Sequence, residues 1–138
     1  MPSPYRLNED DEFEFDEDQI VYNGVPFTGI LYAEYPNAQL KRESPFRDGF
    51  AEGRCREWFP NGQLKQEWFA VHGRATGKFL QWHENGQPRS VGNYEYGVEL
   101  SYDEWNERGD LVAHREINTT SELFKYVEHM RVKAATPK

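Results

Sequence analysis

Residues 9–18 read EDDEFEFDED, eight carboxylates in ten positions, interrupted only by Phe13 and Phe15. Acids at this density could hold a divalent cation, form a solvated tail, or face a basic partner. The run lacks the mid-loop glycine and the ligand spacing of a calcium loop. Asp10, Asp11, Glu12, Glu14, Asp16 and Glu17 are therefore candidate contacts for a basic protein, with two phenyl rings giving the run an apolar side. Elsewhere the reactive residues are scattered. His72, His83, His114 and His129 show no metal-ligand spacing with one another or with Cys55, and no histidine adjoins Cys55 in sequence to activate it. The glycines recur with turns and form no phosphate-binding loop. The sequence thus predicts no catalytic residues, no metal, no cofactor and no small-molecule substrate.

The 138 residues suit one domain or one short repeat array. The formal net charge is −8, and setting aside the eight acids of residues 9–18 leaves 16 acids against 16 bases. A surplus of acids disfavours nucleic acid and anionic membrane as ligands, because both are bound through surplus Lys and Arg. The apolar fraction is only 37% while aromatics reach 15%, which predicts a thin structure held by large flat side chains. The single cysteine excludes an intramolecular disulfide. MPSPYRLNEDDEFEF has no basic and apolar leader, and no run approaches the roughly 20 apolar residues of a membrane span. A cytoplasmic location is expected.

The elements that would position these residues are repeats. GILYAEYPNAQLKRE starts at Gly29, GRCREWFPNGQLKQE at Gly53, GKFLQWHENGQPRSV at Gly77, and a degenerate LSYDEWNERGDLVAH at Leu100. The period is 24, 24 and then 23 residues. Asn61-Gly62 and Asn85-Gly86 predict type I′ turns, with Asn37-Ala38 and Arg108-Gly109 as weaker versions. A second glycine cluster in each unit would lead the chain into the next hairpin. The expectation is an all-β, elongated, curved antiparallel sheet of four hairpins over residues 20–113, following an acidic edge strand in residues 1–19. A C-terminal capping helix and tail would occupy residues 114–138.

A two-residue turn fixes the faces. It pairs Phe59 with Leu64, Trp58 with Lys65 and Cys55 with Trp68, placing Cys55, Phe59, Leu64 and Trp68 on one side. The same arithmetic pairs Glu34 with Lys41, Trp82 with Arg89, and Trp105 with Val112. It also pairs Tyr35 with Leu40, His83 with Pro88 and Asn106 with Leu111. Trp58, Trp82 and Trp105 then form a row on one face, either core rings or partner anchors, with Lys65 and Arg89 stacked on the first two. Beyond residue 118, Thr119 and Glu122 fit a capping box, and Leu123, Val127 and Met130 share a face beside Phe124, predicting a helix over about 120–132 that covers the last hairpin.

The units resemble MORN repeats, and more closely a bacterial variant built on a Trp/Tyr-x-x-Asn-Gly-Gln/Lys-Leu phrase. It appears here as WFPNGQL, WHENGQP, EYPNAQL and WNERGDL. The resemblance spans about 95 residues, and such bacterial proteins are classed as YwqK-type antitoxins or immunity proteins. It implies an elongated sheet, no catalysis, and steric neutralisation of a cognate protein toxin, here a basic one. The alternative it implies is a MORN-type scaffold or membrane-associated module without a toxin partner. Stacking of sugars on the aromatic face is a further option, and that would call for a secretion signal.

Overall fold

The computed structural model describes residues 6–135, so residues 1–5 of the expected N-terminal segment and 136–138 of the expected tail lie outside it. In chain order the elements are β1 (Arg6–Asn8), β2 (Glu14–Asp16), β3 (Gln19–Tyr22), β4 (Val25–Pro26), β5 (Gly29–Glu34), β6 (Leu40–Arg47) and β7 (Phe50–Ala51). They continue with β8 (Gly53–Trp58), β9 (Leu64–Val71), β10 (Arg74–Trp82), β11 (Pro88–Glu95), β12 (Val98–Trp105), β13 (Leu111–Glu116) and α1 (Glu122–Ala135). The main curved sheet runs β1-β5-β6-β8-β9-β10-β11-β12-β13, with β7 paired to β6. Its hairpins are β5–β6, β8–β9, β10–β11 and β12–β13, the four units read from the repeats. Only β1 breaks the meander, lying parallel to β5. The acidic run supplies β2 of a separate small sheet, β2-β3-β4, and so does not edge the main one.

The turns are distributed differently from the expectation. At the Asn-Gly tips only one residue is left-handed: Gly62 (φ +88°), Gly86 (+89°), Gly109 (+89°) and, in the first hairpin, Ala38 (+68°). Gly62 N–H donates to the Phe59 carbonyl (2.9 Å), and Phe59 N–H donates to that of Gln63 (2.8 Å). This is a three-residue loop closed by a glycine bulge. The cause is Asn61, whose Oδ1 accepts the Gln63 N–H at 2.9 Å and closes a local turn of its own. The left-handed pairs lie at the other ends of the strands: Asn23-Gly24, Asp48-Gly49, His72-Gly73 and Tyr96-Gly97.

The extra loop residue shifts every tip register. Trp58 faces Leu64, Trp82 faces Pro88, Trp105 faces Leu111 and Glu34 faces Leu40, correcting the expected partners Lys65, Arg89, Val112 and Lys41. Leu64 thereby joins the Trp face and leaves Phe59. Beyond the bulge the expected pairing of Cys55 with Trp68 holds. Lys65 emerges over the Phe59 ring at 5.6 Å, where a stack on Trp58 was expected, and Lys41 lies over Tyr35 at 5.5 Å.

Two sheets enclose a hydrophobic core at the N-terminal end. There Leu7, Ile20 and Phe27 are buried between the small and main sheets, flanked by Phe13, Tyr22, Leu31 and Phe46. At the C-terminal end α1 is capped by Ser121, whose Oγ accepts the Phe124 N–H at 3.2 Å, in place of the expected Thr119–Glu122 box. Val127 is buried but Leu123 is 60% exposed, contrary to the expected shared face. The helix reaches past the last hairpin. Arg74 donates to the Tyr126 hydroxyl (2.7 Å), Arg131 pairs with Glu95 (2.6 Å), and the Tyr96 hydroxyl donates to the Met130 carbonyl (3.3 Å).

Two glycines with the same φ of +89° separate backbone strain from crowding. A Cβ on Gly49 would lie 2.9 Å from Gln19 Cβ and 3.1 Å from the Ile20 carbonyl oxygen, whereas one on Gly109 meets nothing within 4 Å. Gly109→Ala is expected to cost about 1–2 kcal/mol, the left-handed penalty alone. Gly49→Ala should cost clearly more and loosen the small sheet, as urea denaturation of both variants would measure.

Candidate interaction surfaces

The acidic run divides into internal and free groups. Glu9 is internal, its carboxylate 2.6 Å from Arg42 Nε. That contact is the chief reason the Arg42 guanidinium is held above its ordinary pKa. Asp11 closes a turn, accepting the Asn8 N–H at 3.0 Å. Asp10, Glu12, Glu14, Asp16 and Glu17 are exposed and, among the described residues, form no ion pair. Phe13 and Phe15 meet edge-on at 5.6 Å, and Phe15 is 72% exposed. A groove of about 600 Å³ lies here, with Glu9, Asp11, Glu12 and Glu14 around the rings of Phe13 and Phe15 and the side chain of Val21.

This small sheet is firmly mounted. Ile20 N–H donates to the Gly49 carbonyl (2.9 Å), Gly49 N–H to that of Phe27 (2.8 Å), and Gln19 Nε2 to that of Asp48 (3.0 Å). Its support is the left-handed Asp48-Gly49 turn, which is why the Gly49 position tolerates no side chain.

Trp58, Trp82 and Trp105 are half-buried and share the face opposite Cys55 and Trp68. The small sheet packs on the Cys55 side, through Leu7, Leu31 and Phe46. The two sets of predicted contacts therefore lie on opposite faces of the main sheet. The Trp positions also have a structural role through their backbone. The Tyr35 hydroxyl donates to the Trp58 carbonyl (2.7 Å), and His83 Nε2 donates to the Trp105 carbonyl (2.8 Å), each bond tying one hairpin tip to the next. Phe59, at the equivalent place, has no donor for Trp82.

On the Cys55 face a row runs straight through the register: Ala33, Arg42, Glu57, Gln66, Gln81, Ser90, Glu104 and Ala113. Its polar members bond sideways. Gln66 donates to Glu57 (2.9 Å), Gln81 to Gln66 (3.1 Å), Ser90 to Gln81 (2.6 Å), and Tyr102 to Glu104 (2.6 Å). Ser90 is 2% exposed and satisfied by this ladder. Beside it Trp68 stacks on Phe79 (5.7 Å, 2° between planes), Phe79 meets Tyr94 (5.8 Å), and the Arg115 guanidinium lies 3.9 Å from the Tyr102 ring. Burial, then the Glu99 charge, raises the Tyr94 pKa; burial, then the Glu104 hydrogen bond, raises that of Tyr102. Burial likewise raises the Cys55 thiol, keeping it protonated. Among the described residues no group of histidine, cysteine and acid side chains is arranged to hold a metal.

With this geometry in hand, relatives can be compared. Residues 51–71 and 75–96 match a family described as MORN repeat variant, which covers the second and third hairpins. Immunity protein YwqK of Bacillus subtilis (strain 168) is 50% identical over 109 residues, covering 79% of this chain and 71% of that protein. The chain belongs to this MORN-repeat family. No solved structure matches it. The repeat phrase of the family has a direct physical sense here: Asn closes its own turn, Gly takes the left-handed angle, and the Gln amide reaches the next carbonyl, as Gln63 Nε2 does to Leu64 (2.9 Å).

Two expectations follow from these bonds. Tyr35→Phe should destabilise by about 0.5–1.5 kcal/mol, and Phe59→Tyr should gain up to a similar amount by supplying the missing bond to Trp82. Lys41 already sits on a tyrosine ring at the first position, so the added hydroxyl at residue 59 keeps the Lys65 stack. Chemical denaturation of the two single variants checks both signs.

His114 supplies a pH test. Its ring nitrogens lie 2.5 Å from Asp103 and 3.3 Å from Glu116, and the Asp103 hydrogen bond chiefly raises its pKa above 6.5. A group raised on folding stabilises fully below its unfolded pKa and loses that contribution as pH rises through its folded value. The stability of the native chain over His114→Gln should therefore be greatest below about pH 6 and shrink on raising the pH towards 8. Paired thermal melts would measure it.

Proposed function

We propose that this chain is an immunity protein: a stoichiometric, non-catalytic binder that neutralises a toxic protein by covering its working surface in the cytoplasm. The observation that carries the reading is the small sheet with its free acids. Asp10, Glu12, Glu14, Asp16 and Glu17, with Asp11 beside them, stand exposed on this mounted segment, and Asp11, Glu12 and Glu14 line the groove that holds Phe15. The 50% identity to a protein named for immunity supports the same role. Concentrating the net charge in one segment selects a basic partner and speeds its approach, since complementary potentials act mainly on the association rate. Trp58, Trp82 and Trp105 form a second contact surface on the other face, subordinate because their rings are half-buried and the carbonyls of Trp58 and Trp105 hold neighbouring hairpins.

The test is recovery of partners on the native chain and on a variant carrying Asp10→Lys, Glu12→Lys, Glu14→Lys and Asp16→Lys. The native chain should retain one small basic protein in near-equal amounts, released as salt rises. Charge reversal should slow association by about 10-fold or more and flatten the salt dependence. Recovery of many partners, or of lipid alone, would favour a MORN-type scaffold. A single partner held equally by both proteins would move the contact to the Trp face.

A further inference from the structure

Among the described residues the outer edge of β2 has no neighbour. Within the small sheet β2 pairs only with β3, through Glu14 with Val21, Phe15 with Ile20 and Asp16 with Gln19. Such an edge leaves outward N–H and C=O groups that template another strand unless it is covered or blocked. β2 has no proline and, among the described residues, no cover. Its residues are all exposed, and Val25 on β4 is 62% exposed as well. Beside β2 and reaching Val21 of β3 lies the groove of about 600 Å³ in which Phe13, Phe15 and Val21 form apolar ground among Glu12 and Glu14.

The sequence of β2 decides what can fill that edge. A second copy of the chain would bring Glu14 and Asp16 against their own kind, and like charges directly opposite across strands destabilise pairing. A strand with cations at alternate positions is favoured for the same reason. Because side chains alternate along a strand, such cations would share the face of Glu14 and Asp16, and the residue between them would lie on the face of Phe15.

We infer that the β2 edge receives an extended basic segment of the partner as a fourth strand, with Lys or Arg opposite Glu14 and Asp16 and an apolar residue against Phe15. Backbone bonds supply affinity in this mode, and the alternating side chains supply selection. The inference rests on the immunity reading and adds the form of the partner's contact.

The test uses the full chain and a fluorescent peptide of alternating Arg and Val, beside the same peptide N-methylated on alternate amides. Methylation keeps charge and side chains but removes strand bonding. The unmodified peptide should bind about ten-fold tighter, the worth of one or two net hydrogen bonds. Phe15→Ser should weaken it by a comparable factor without unfolding, given the exposure of that ring, and amide signals of residues 14–16 should shift. Equal binding of both peptides, or shifts confined elsewhere, would overturn strand addition. So would a native partner held undiminished by Phe15→Ser, an outcome that leaves the immunity reading standing. Failure to retain any single partner would instead remove the immunity reading itself.

Discussion

The left-handed residue at each hairpin tip sets nearly everything that follows along the strands. Because Gly62, Gly86 and Gly109 take positive φ while the preceding residue does not, each tip closes with three residues and a bulge. The bulge turns Lys65 away from Trp58, places Leu64 opposite that indole, and leaves the inner registers in phase from one hairpin to the next. A one-residue slip would exchange the two faces. The first hairpin keeps the same geometry with Ala38, accepting a conformation that costs an L-residue about 1–2 kcal/mol.

Once the register is in phase, stabilisation runs sideways. The small sheet covers the N-terminal end and α1 is tied to β10 and β11, so the rest of the sheet is held by rows that cross it. One row is the polar ladder from Glu57 to Ser90, the other the ring series Trp68, Phe79 and Tyr94. Each hairpin depends on its neighbours, as in other quasi-one-dimensional arrays. The fourth hairpin ends the series at its tip: Asn106 spends its side chain on its own loop, accepting from Arg108 and Asp110, where Tyr35 and His83 reach outward.

The hairpins were legible because their glycines and Asn-Gly phrases recur at a fixed period. The tip geometry was not, since Asn-Gly serves both a two-residue turn and a bulged loop, and the choice depends on where the Asn side chain bonds. The polar ladder is not legible in the sequence, for a different reason. Arg42, Gln66 and Ser90 occupy equivalent repeat positions, as do Glu57, Gln81 and Glu104, but their identities differ while the Trp positions repeat. Of the acidic segment, composition revealed the charge and its alternation with Phe13 and Phe15. It could not reveal that Glu9 is committed to Arg42, a partner 33 residues away. The helix was legible in place, but its contact with Arg74 and Glu95 depends on how the sheet curves.

The parallel pairing of β1 with β5 changes what the acidic segment is. In a meander the segment before the first hairpin would be a loose end. Here the chain enters the main sheet at Arg6–Asn8, leaves to build the small sheet, and returns at Gly29, so the acids sit on a strap fastened at both ends. Ordering that strap is part of folding, supported by Gly49, and is complete before any partner arrives. If the acids make the proposed contact, association loses little chain entropy at this site, and the same acids on a free tail would bind more weakly. A single proteolytic cut within the strap would leave both halves attached to the sheet.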